Sequence, residues 1–363
     1  MSLPFKIFGV DHVEFIVGNA KQASYYYQQL YGLTPVAYRG LETGEREQVS
    51  YVLQQQSIRF VLTAPLLYSS PLNLHLIKHG DGVKDVAFWV DDAEKAWQYA
   101  TEHGAPSARK PVRYADKDGE VVLASIKTYG DTIHTFVERK NYRGAFLPGF
   151  MPYRSPIETR PLDIHHIDHF VGNQPESQMQ KIAQWYEEKL GFHRFWTVDD
   201  KDISTEYSAL RSIVVADPSE VIKMPINRPA MGKKKSQIEE FVEYYSGPGI
   251  QHIALATDDI VGVVAEMQRR GVEFLEVPRS YYEELPERVG EIDEDMEELA
   301  KLGILVDRDE FGYMLQIFTK PVQDRPTLFY EIIQRKGSAS FGKGNFKALF
   351  AAIEREQARR GNL

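Results

Sequence analysis

The sequence predicts an α+β protein of two duplicated halves, and two internal repeats carry that prediction. Residues 11–19 in the first half resemble residues 168–173 in the second, and each stretch precedes a helical pattern that ends in glycine. Residues 82–92 match residues 249–259, and each of these also precedes a helix that ends in glycine. Glycine is favoured there because it adopts the left-handed conformation that closes many helices. Since the repeats follow the same order, each half is expected to hold two strand–helix–strands units.

Composition limits the class of protein. The chain of 363 residues is long enough for two domains, and its 43% hydrophobic and 26% charged content is ordinary for a soluble protein. The net charge of −9 disfavours nucleic acid or an acidic membrane as the main partner. The absence of cysteine excludes disulfides, thiolate metal sites and cysteine nucleophiles. No signal peptide or membrane-spanning run is evident, so a cytoplasmic location is expected.

A linker rich in Gly, Pro and Arg, residues 141–161, divides the chain. We expect an N-terminal domain of residues 1–150 and a C-terminal domain of residues 151–363. The compact basic run at residues 233–235 is expected to be a solvated loop.

Four further segments of the second half have recognisable patterns. Residues 205–210 and 212–216 alternate like strands, and the strongly acidic residues 283–302 favour a solvated helical face. From residue 344 to residue 355, apolar side chains recur at spacings of three and four. This spacing predicts an amphipathic C-terminal helix.

Glu331 is the most informative single residue, because it interrupts an apolar strand. It lies between Phe329-Tyr330 and Ile332-Ile333, in a run that echoes residues 132–139 of the first half. An ionised carboxylate among such neighbours is costly unless a cation or hydrogen-bond donors compensate it. The alternative is that Glu331 points outward and pairs with Lys320 or Arg335.

Equivalent positions of the repeats hold different residues in the two halves, and the difference indicates a metal site in the second half. The second half has His169, His252 and Glu331, whereas the first half has His12, Asp85 and Thr135. Two imidazoles and one carboxylate form the facial triad that suits non-haem Fe(II) with open positions. The first half has threonine in place of the carboxylate, so its copy is expected to bind no catalytic metal.

Two other histidines compete with His169 for the first ligand position. Strand alternation puts His165 on the same face as His169 and His166 on the opposite face, so it excludes only His166. The repeat favours His169, because His12 follows the matching aspartate.

With these residues in place, the chain resembles the 4-hydroxyphenylpyruvate dioxygenase family over nearly its whole length. The resemblance rests on Ile167-Asp-His-Phe-Val-Gly-Asn-Gln174, Gly249-Ile-Gln-His-Ile-Ala-Leu255, Asp324-Arg-Pro-Thr-Leu-Phe-Tyr-Glu331 and Gly342-Lys-Gly-Asn-Phe346. It implies the vicinal-oxygen-chelate fold, in which βαβββ modules pair into open barrels, with a C-terminal helix as a lid over the pocket.

The resemblance also implies an activity. The family converts 4-hydroxyphenylpyruvate and O2 to homogentisate and CO2, in tyrosine catabolism, by oxidative decarboxylation, ring hydroxylation and side-chain migration. Fe(II) would be held by His169, His252 and Glu331, and a homodimer or homotetramer is expected. The positions that match the family's catalytic residues are Gln237, Gln251, Gln316 and Phe318. Those that match its substrate-binding residues are Ser212, Asn227, Phe329, Phe341, Asn345 and Phe346.

Three alternatives remain open. 4-Hydroxymandelate synthase shares the fold, triad and substrate, but a smaller aliphatic residue tends to replace its counterpart of Phe318. An extradiol catechol dioxygenase would not need the motifs at residues 324–326 and 342–346. A metal-free binding module of the same fold would have no reason to keep three ligands in one half and lose them in the other.

Overall fold

The computed structural model describes residues 3–198, 209–230 and 235–362. Most of the first predicted strand, residues 205–208, lies outside these ranges, as do Lys233 and Lys234 of the basic run. None of the helices described there is long and apolar enough to cross a membrane.

The N-terminal half alternates strands with three helices. Its strands are β1 (Ile7–Ile16), β2 (Thr34–Arg39), β3 (Gln48–Gln55), β4 (Ile58–Pro65), β5 (Gly82–Val90), β6 (Ser107–Asp116), β7 (Gly119–Lys127), β8 (Ile133–Glu138) and β9 (Met151–Pro152). Its helices are α1 (Ala20–Tyr31), α2 (Leu72–His79) and α3 (Ala93–Glu102).

The C-terminal half repeats this order and adds helices. Its strands are β10 (Ile164–Asn173), β11 (His193–Val198), β12 (Ala209–Ala216), β13 (Lys223–Ala230), β14 (Gly249–Thr257), β15 (Leu305–Arg308), β16 (Tyr313–Phe318) and β17 (Phe329–Lys336). Its helices are α4 (Met179–Leu190), α5 (Gln237–Tyr244), α6 (Ile260–Arg270), α7 (Arg279–Glu283), α8 (Leu285–Val289), α9 (Met296–Leu302) and α10 (Phe346–Arg359).

The strand order of the two sheets confirms the predicted duplication. The first sheet runs β6-β7-β8-β5-β1-β4-β3-β2-β9, and the second runs β15-β16-β17-β14-β10-β13-β12-β11 when read in the same sense. Strand for strand, the second order repeats the first apart from the two-residue strand β9. Because β9 pairs with β2, the segment after residue 150 begins at the edge of the first sheet. The predicted division of the chain at residue 150 stays a prediction.

Strand register shows that the residues compared between the halves are structurally equivalent. His12 lies opposite Ala87 in the first sheet, as His169 lies opposite Ala254 in the second. Asp85 pairs with Ile133, as His252 pairs with Phe329. Two residues beyond these last partners come Thr135 and Glu331, on the same face of their strands.

Successive side chains of β17 point to opposite faces of the sheet, which separates the core from the site. Tyr330 is fully buried in the main hydrophobic cluster, where its hydroxyl lies 2.8 Å from the hydroxyl of Tyr27 on α1. Glu331, the next residue, therefore faces the opposite, concave side. The core thus spans both halves, and the concave faces are left for cavities.

Glycines end the helices as predicted. Gly32 closes α1 at φ 70° and Gly191 closes α4 at φ 66°, both in the left-handed region. A Cβ at Gly32 would lie 2.6 Å from the Leu162 nitrogen, so this position needs glycine for space as well.

The acidic segment 283–302 is largely helical, as predicted, but it is not only a solvated face. It contains the last residue of α7 and the whole of α8 and α9, and Leu285, Val289 and Leu299 are buried. Gly290 adopts φ 67° between α8 and α9, a conformation that does not continue a right-handed helix. The apolar side chains within the acidic run therefore join the core.

Candidate metal centre

Three neighbouring strands bring two imidazoles and one carboxylate together. His169 lies on β10, His252 on β14 and Glu331 on β17, and their ligand atoms all lie within 4.8 Å of one another. Glu331 Oε2 is 3.2 Å from His169 Nε2 and 3.4 Å from His252 Nε2. All three side chains are buried, so Glu331 does not point outward to Lys320 or Arg335. In the part of the chain that the structure describes, no other His, Cys, Asp and Glu side chains form such a group.

The Nδ1 atom of each imidazole lies within hydrogen-bond distance of the side chain that precedes it in the sequence. His169 Nδ1 lies 2.7 Å from Asp168 Oδ1, and His252 Nδ1 lies 3.2 Å from Gln251 Oε1. Oxygen acceptors there favour the tautomer with a proton on Nδ1 and a lone pair on Nε2. Both imidazoles are thereby oriented with Nε2 available to a metal.

Asp168 is itself fixed by a bidentate ion pair with Arg335. Arg335 Nε and Nη2 lie 2.7 and 2.8 Å from the two carboxylate oxygens, and Nη1 donates to the Ser340 carbonyl at 2.6 Å. The guanidinium also covers the ring of Phe341, which makes an edge contact with His169. One arginine thus links a candidate ligand to the loop that precedes α10.

The electrostatics of the cluster keep the carboxylate ionised. Burial alone would raise the pKa of Glu331, but the imidazoles of His169 and His252 hold it below its ordinary value. Burial also lowers the pKa of His252, which favours the neutral imidazole. Burial would lower the pKa of His169 as well, but Glu331 and Asp168 hold it above its ordinary value. Because a metal ion binds the neutral imidazole, metal binding at His169 would release a proton.

The equivalent cluster in the first half has different chemistry. His12 Nδ1 lies 2.7 Å from Asp11, and Arg139 pairs with that aspartate as Arg335 pairs with Asp168. Where Glu331 would stand, Thr135 donates from its hydroxyl and its backbone nitrogen to Asp85. The framework around the first ligand is therefore duplicated, but the third ligand is replaced by a hydroxyl.

Most residues predicted for the substrate pocket line one cavity next to the triad. The predicted residues found there, besides the triad, are Ser212, Asn227, Gln237, Gln251, Phe318, Phe329, Phe341 and Phe346. Two others lie elsewhere. Gln316 is buried with its amide against Gly342, and Asn345 accepts hydrogen bonds from the Tyr281 hydroxyl and Arg288.

Aromatic rings form much of the cavity wall. Phe318 and Phe329 meet edge to face with their centroids 6.3 Å apart, and Phe329 stacks on the imidazole of His252 at 4.8 Å. A third ring, Phe341, packs against His169. Such a wall accepts a planar ring by offset or edge contacts and excludes water around the triad.

The C-terminal helix closes this cavity. Phe346, Leu349 and Phe350 of α10 all line it, and its volume is only about 50 Å³. Sites for small organic ligands usually enclose about 300–1,000 Å³. In the conformation described, α10 therefore occupies space that a substrate would need.

Sequence reasoning missed several functional side chains. Trp196, Leu349 and Phe350 line the cavity, and Arg335 holds Asp168. The apolar spacing of the C-terminal segment could have indicated Leu349 and Phe350. The repeat could also have indicated Arg335, since Arg139 is its counterpart, whereas no sequence signal marked Trp196.

Comparisons with known proteins agree with this geometry. Residues 11–122 and 164–317 each match the glyoxalase/bleomycin resistance protein/dioxygenase superfamily. The chain is 54% identical to a 4-hydroxyphenylpyruvate dioxygenase of Caenorhabditis elegans, with 97% of this chain and 93% of that protein covered. It is 52% identical to proteins of the same name from Yarrowia lipolytica and Danio rerio, which it covers to 93% each, over 98% and 99% of its own length.

A solved structure supports the same fold at lower identity. A mutant of 4-hydroxymandelate synthase from Streptomyces coelicolor superposes with a TM-score of 0.87 and 30% identity, covering 97% of this chain and 99% of that one. That identity is well below the 52–54% shared with the dioxygenases. The chain therefore belongs to the 4-hydroxyphenylpyruvate dioxygenase family.

Proposed function

We propose that this protein is an Fe(II)-dependent dioxygenase that converts 4-hydroxyphenylpyruvate and O2 to homogentisate and CO2. The observation that carries the proposal is the buried group of His169, His252 and Glu331, set beside an aromatic cavity. Family membership supplies the substrate and the reaction, and the site supplies residues suited to both.

The residues present fit iron. Two imidazole nitrogens and one carboxylate oxygen are the donors of the facial triad typical of non-haem Fe(II) oxygenases. Asp168 and Gln251 supply the outer contacts that orient such imidazoles. Fe(II), when bound, would supply the open coordination positions and the redox chemistry that decarboxylation and hydroxylation require.

The chain's own residues would bind and orient the substrate. Phe318 and Phe329 provide faces and edges against which the aromatic ring can pack. Asn227 lines the cavity with a buried side-chain oxygen that has no hydrogen-bond partner among the described residues. We propose that this oxygen accepts a hydrogen bond from a polar group of the substrate, because an unpaired buried acceptor is costly.

Gln237 and Gln251 form a second polar contact at the cavity. Gln251 Nε2 lies 3.5 Å from Gln237 Oε1, while Gln251 Oε1 faces His252. Uncharged amides orient polar groups without adding charge beside the triad. We propose that this pair orients the substrate relative to His252, whereas Gln316 and Asn345 act from outside the cavity.

We also propose that α10 opens to admit substrate and closes to exclude water. The cavity of about 50 Å³ is too small for an aromatic oxo acid while Phe346, Leu349 and Phe350 fill it. Closure over a bound substrate would protect reactive species from side reactions.

Product analysis tests the function. The protein would be loaded with Fe(II) without oxygen, mixed with 4-hydroxyphenylpyruvate and then exposed to air. We expect homogentisate with one CO2 released per O2 consumed. 4-Hydroxymandelate would instead assign the synthase activity, which the neighbouring structure makes the main competitor. Ring cleavage of a catechol would indicate an extradiol enzyme, and absence of oxygen uptake would favour a binding module.

Finally, we propose a cytoplasmic homodimer or homotetramer. In the N-terminal half, several large apolar side chains within a short segment are exposed, including Tyr68, Leu74 and Ile77, as is common on surfaces that join subunits. Light scattering would give the number of subunits, and cell fractionation would test the location. A monomer at micromolar concentration would contradict the proposed assembly.

A further inference from the structure

The N-terminal half contains a cavity that the proposed reaction does not use. It has a volume of about 400 Å³, compared with about 50 Å³ for the cavity beside the triad. This volume falls within the usual range for sites that bind small organic molecules. The space around His12 is thus more open than the space around the triad.

Strand register places this cavity where the second half has its substrate pocket. His12 and Thr135, the counterparts of His169 and Glu331, both line it. Ser50 and Thr63 line it as well and lie opposite each other on β3 and β4, as Ser212 and Asn227 do on β12 and β13. The duplicated fold has therefore kept the concavity while its polar groups have changed.

Buried polar groups occupy the deep end of this cavity. Asp11 engages His12 at Nδ1, which leaves Nε2 for the cavity, as in His169. Asp85 is buried, and burial raises its pKa to about 6 although Thr135 donates two hydrogen bonds to it. Polar and ionisable groups in such a place are costly unless they have partners. If the cavity had no ligand, the N-terminal half would be more stable with apolar side chains filling it.

Cationic groups lie where the cavity approaches solvent. Arg39, Lys84 and Arg109 line it, and each is at least partly exposed. Arg39 pairs with Glu45 at 2.8 Å, but its Nε is buried without a hydrogen-bond partner among the described residues. Lys84 donates to the Asp131 carbonyl.

The acidic groups of the cavity are already engaged. Glu14 accepts a hydrogen bond from the Thr63 hydroxyl at 2.6 Å, and Asp85 accepts from Thr135. Three cations therefore face two carboxylates that have hydrogen-bond donors of their own. The lining also includes the apolar rings of Phe146, which contacts His12, and Phe150, over which Arg39 lies.

We propose that this cavity is a second, non-catalytic site for a small organic acid. The carboxylate of the ligand would lie among Arg39, Lys84 and Arg109, and its aromatic or aliphatic body would pack against Phe146 and Phe150. A hydroxyl or another polar group at the far end would reach His12 and its neighbours.

Histidine signals in NMR spectra can test this site separately from the triad. The chain has ten histidines, and His12→Gln would assign the signal of His12. The probe is 4-hydroxyphenylacetate, which has the carboxylate, ring and hydroxyl but lacks a 2-oxo group. It would be added to iron-free protein up to about 10 mM, above the roughly millimolar Kd expected for so small a ligand. We expect a saturable shift of the His12 signals, whatever the protein's catalytic activity.

Charge reversal identifies the part of the site that binds the carboxylate. The double variant Lys84→Glu, Arg109→Glu should lower the affinity for 4-hydroxyphenylacetate, measured from the His12 shift, at least tenfold. Lys95→Glu, at a lysine whose side chain is 61% exposed, should leave that affinity unchanged. The other histidine signals report folding, and Arg109→Ala replaces the double variant if they change. An unmoved His12 signal in the folded protein would overturn the proposal. So would an equal shift with phenol or in the charge-reversed variant.

Discussion

At the scale of single residues, the two halves share one framework and differ mainly in the groups beside it. Asp11 with Arg139 and Asp168 with Arg335 form the same bidentate pair, and each aspartate holds the Nδ1 of the adjacent histidine. Because both halves keep this framework, it serves the fold as well as the site. Beside this framework the second half has His252 and Glu331, where the first half has Asp85 and Thr135.

The carboxylate provides the first prediction. Glu331→Gln should weaken iron retention and lower turnover at least about 100-fold. The reason is that a neutral amide binds Fe(II) much more weakly than the carboxylate it replaces. Iron content after dialysis and homogentisate formation would be measured together. Glu273→Gln, at a carboxylate whose side chain is 76% exposed, is the matched control and should keep both. Near-normal activity of Glu331→Gln would remove this residue from the ligand set.

The second prediction separates the site from the framework. Asp168→Asn should weaken iron affinity about 10- to 100-fold, as is typical when the outer contact of a ligating histidine is lost. Asp11→Asn removes the equivalent contact in the half that lacks the third ligand, so it should leave iron affinity unchanged. Competition with a chelator would measure both variants. Equal losses of iron affinity would mean that the aspartate acts only through fold stability.

At the scale of elements, polar contacts just beyond the C-terminal end of α10 join it to α5. Arg360 Nη2 lies 2.8 Å from Glu240 of α5, and this carboxylate is almost completely buried. Asn362 donates to the same carboxylate at 2.9 Å. At the other end, Phe346 and Phe350 enter the cavity beside the triad. The helix thus combines an apolar face that fills the cavity with one buried ion pair.

The third prediction concerns this ion pair. Arg360→Ala should leave Glu240 with fewer partners and shift the equilibrium towards an open helix by about 1–2 kcal/mol, roughly a tenfold change in population. We expect faster hydrogen exchange in α10 and more O2 consumed per homogentisate formed. Arg359→Ala is the control. Arg359 is mostly exposed and pairs at 2.6 Å with Glu356 of its own helix, and its ion pair outside the helix is with the exposed Glu276 at 3.5 Å. If both variants behave like the parent protein, the ion pair does not hold the lid.

At the scale of the whole molecule, the two halves share one hydrophobic core. Tyr27 and Tyr31 of the first half pack against Tyr330 of the second, with ring centroids 5.9 and 4.9 Å apart. All three rings are buried, and Tyr330 is adjacent to Glu331 in the chain. Contacts between the halves therefore fix the strand that carries the carboxylate.

The fourth prediction tests this shared core. Tyr330→Phe should destabilise the fold by about 1–3 kcal/mol, because the buried Tyr27 hydroxyl loses its partner 2.8 Å away. Adding Tyr27→Phe should recover part of that loss, since removing both partners leaves no unpaired hydroxyl. Urea unfolding of the iron-free parent protein, the two single variants and the double variant would give the free energies of this double-mutant cycle. Strictly additive losses would show that the two hydroxyls are not coupled.

The sequence by itself determined the duplication, the helix-ending glycines and the asymmetry between Glu331 and Thr135. These features arise from local periodicity and from comparison of one half with the other. The same comparison paired His12 with His169, and strand register bears out that equivalence.

Only the tertiary structure decided what surrounds those residues. The pairing of Arg335 with Asp168, the placement of Gln316 and Asn345 outside the cavity, and the entry of Phe350 into it all depend on elements far apart in the chain. The open cavity around His12 also emerged only from the packing of separate strands. The physical reason is that alternation fixes which face of a strand a side chain occupies, whereas the approach of other elements to that face is set by packing.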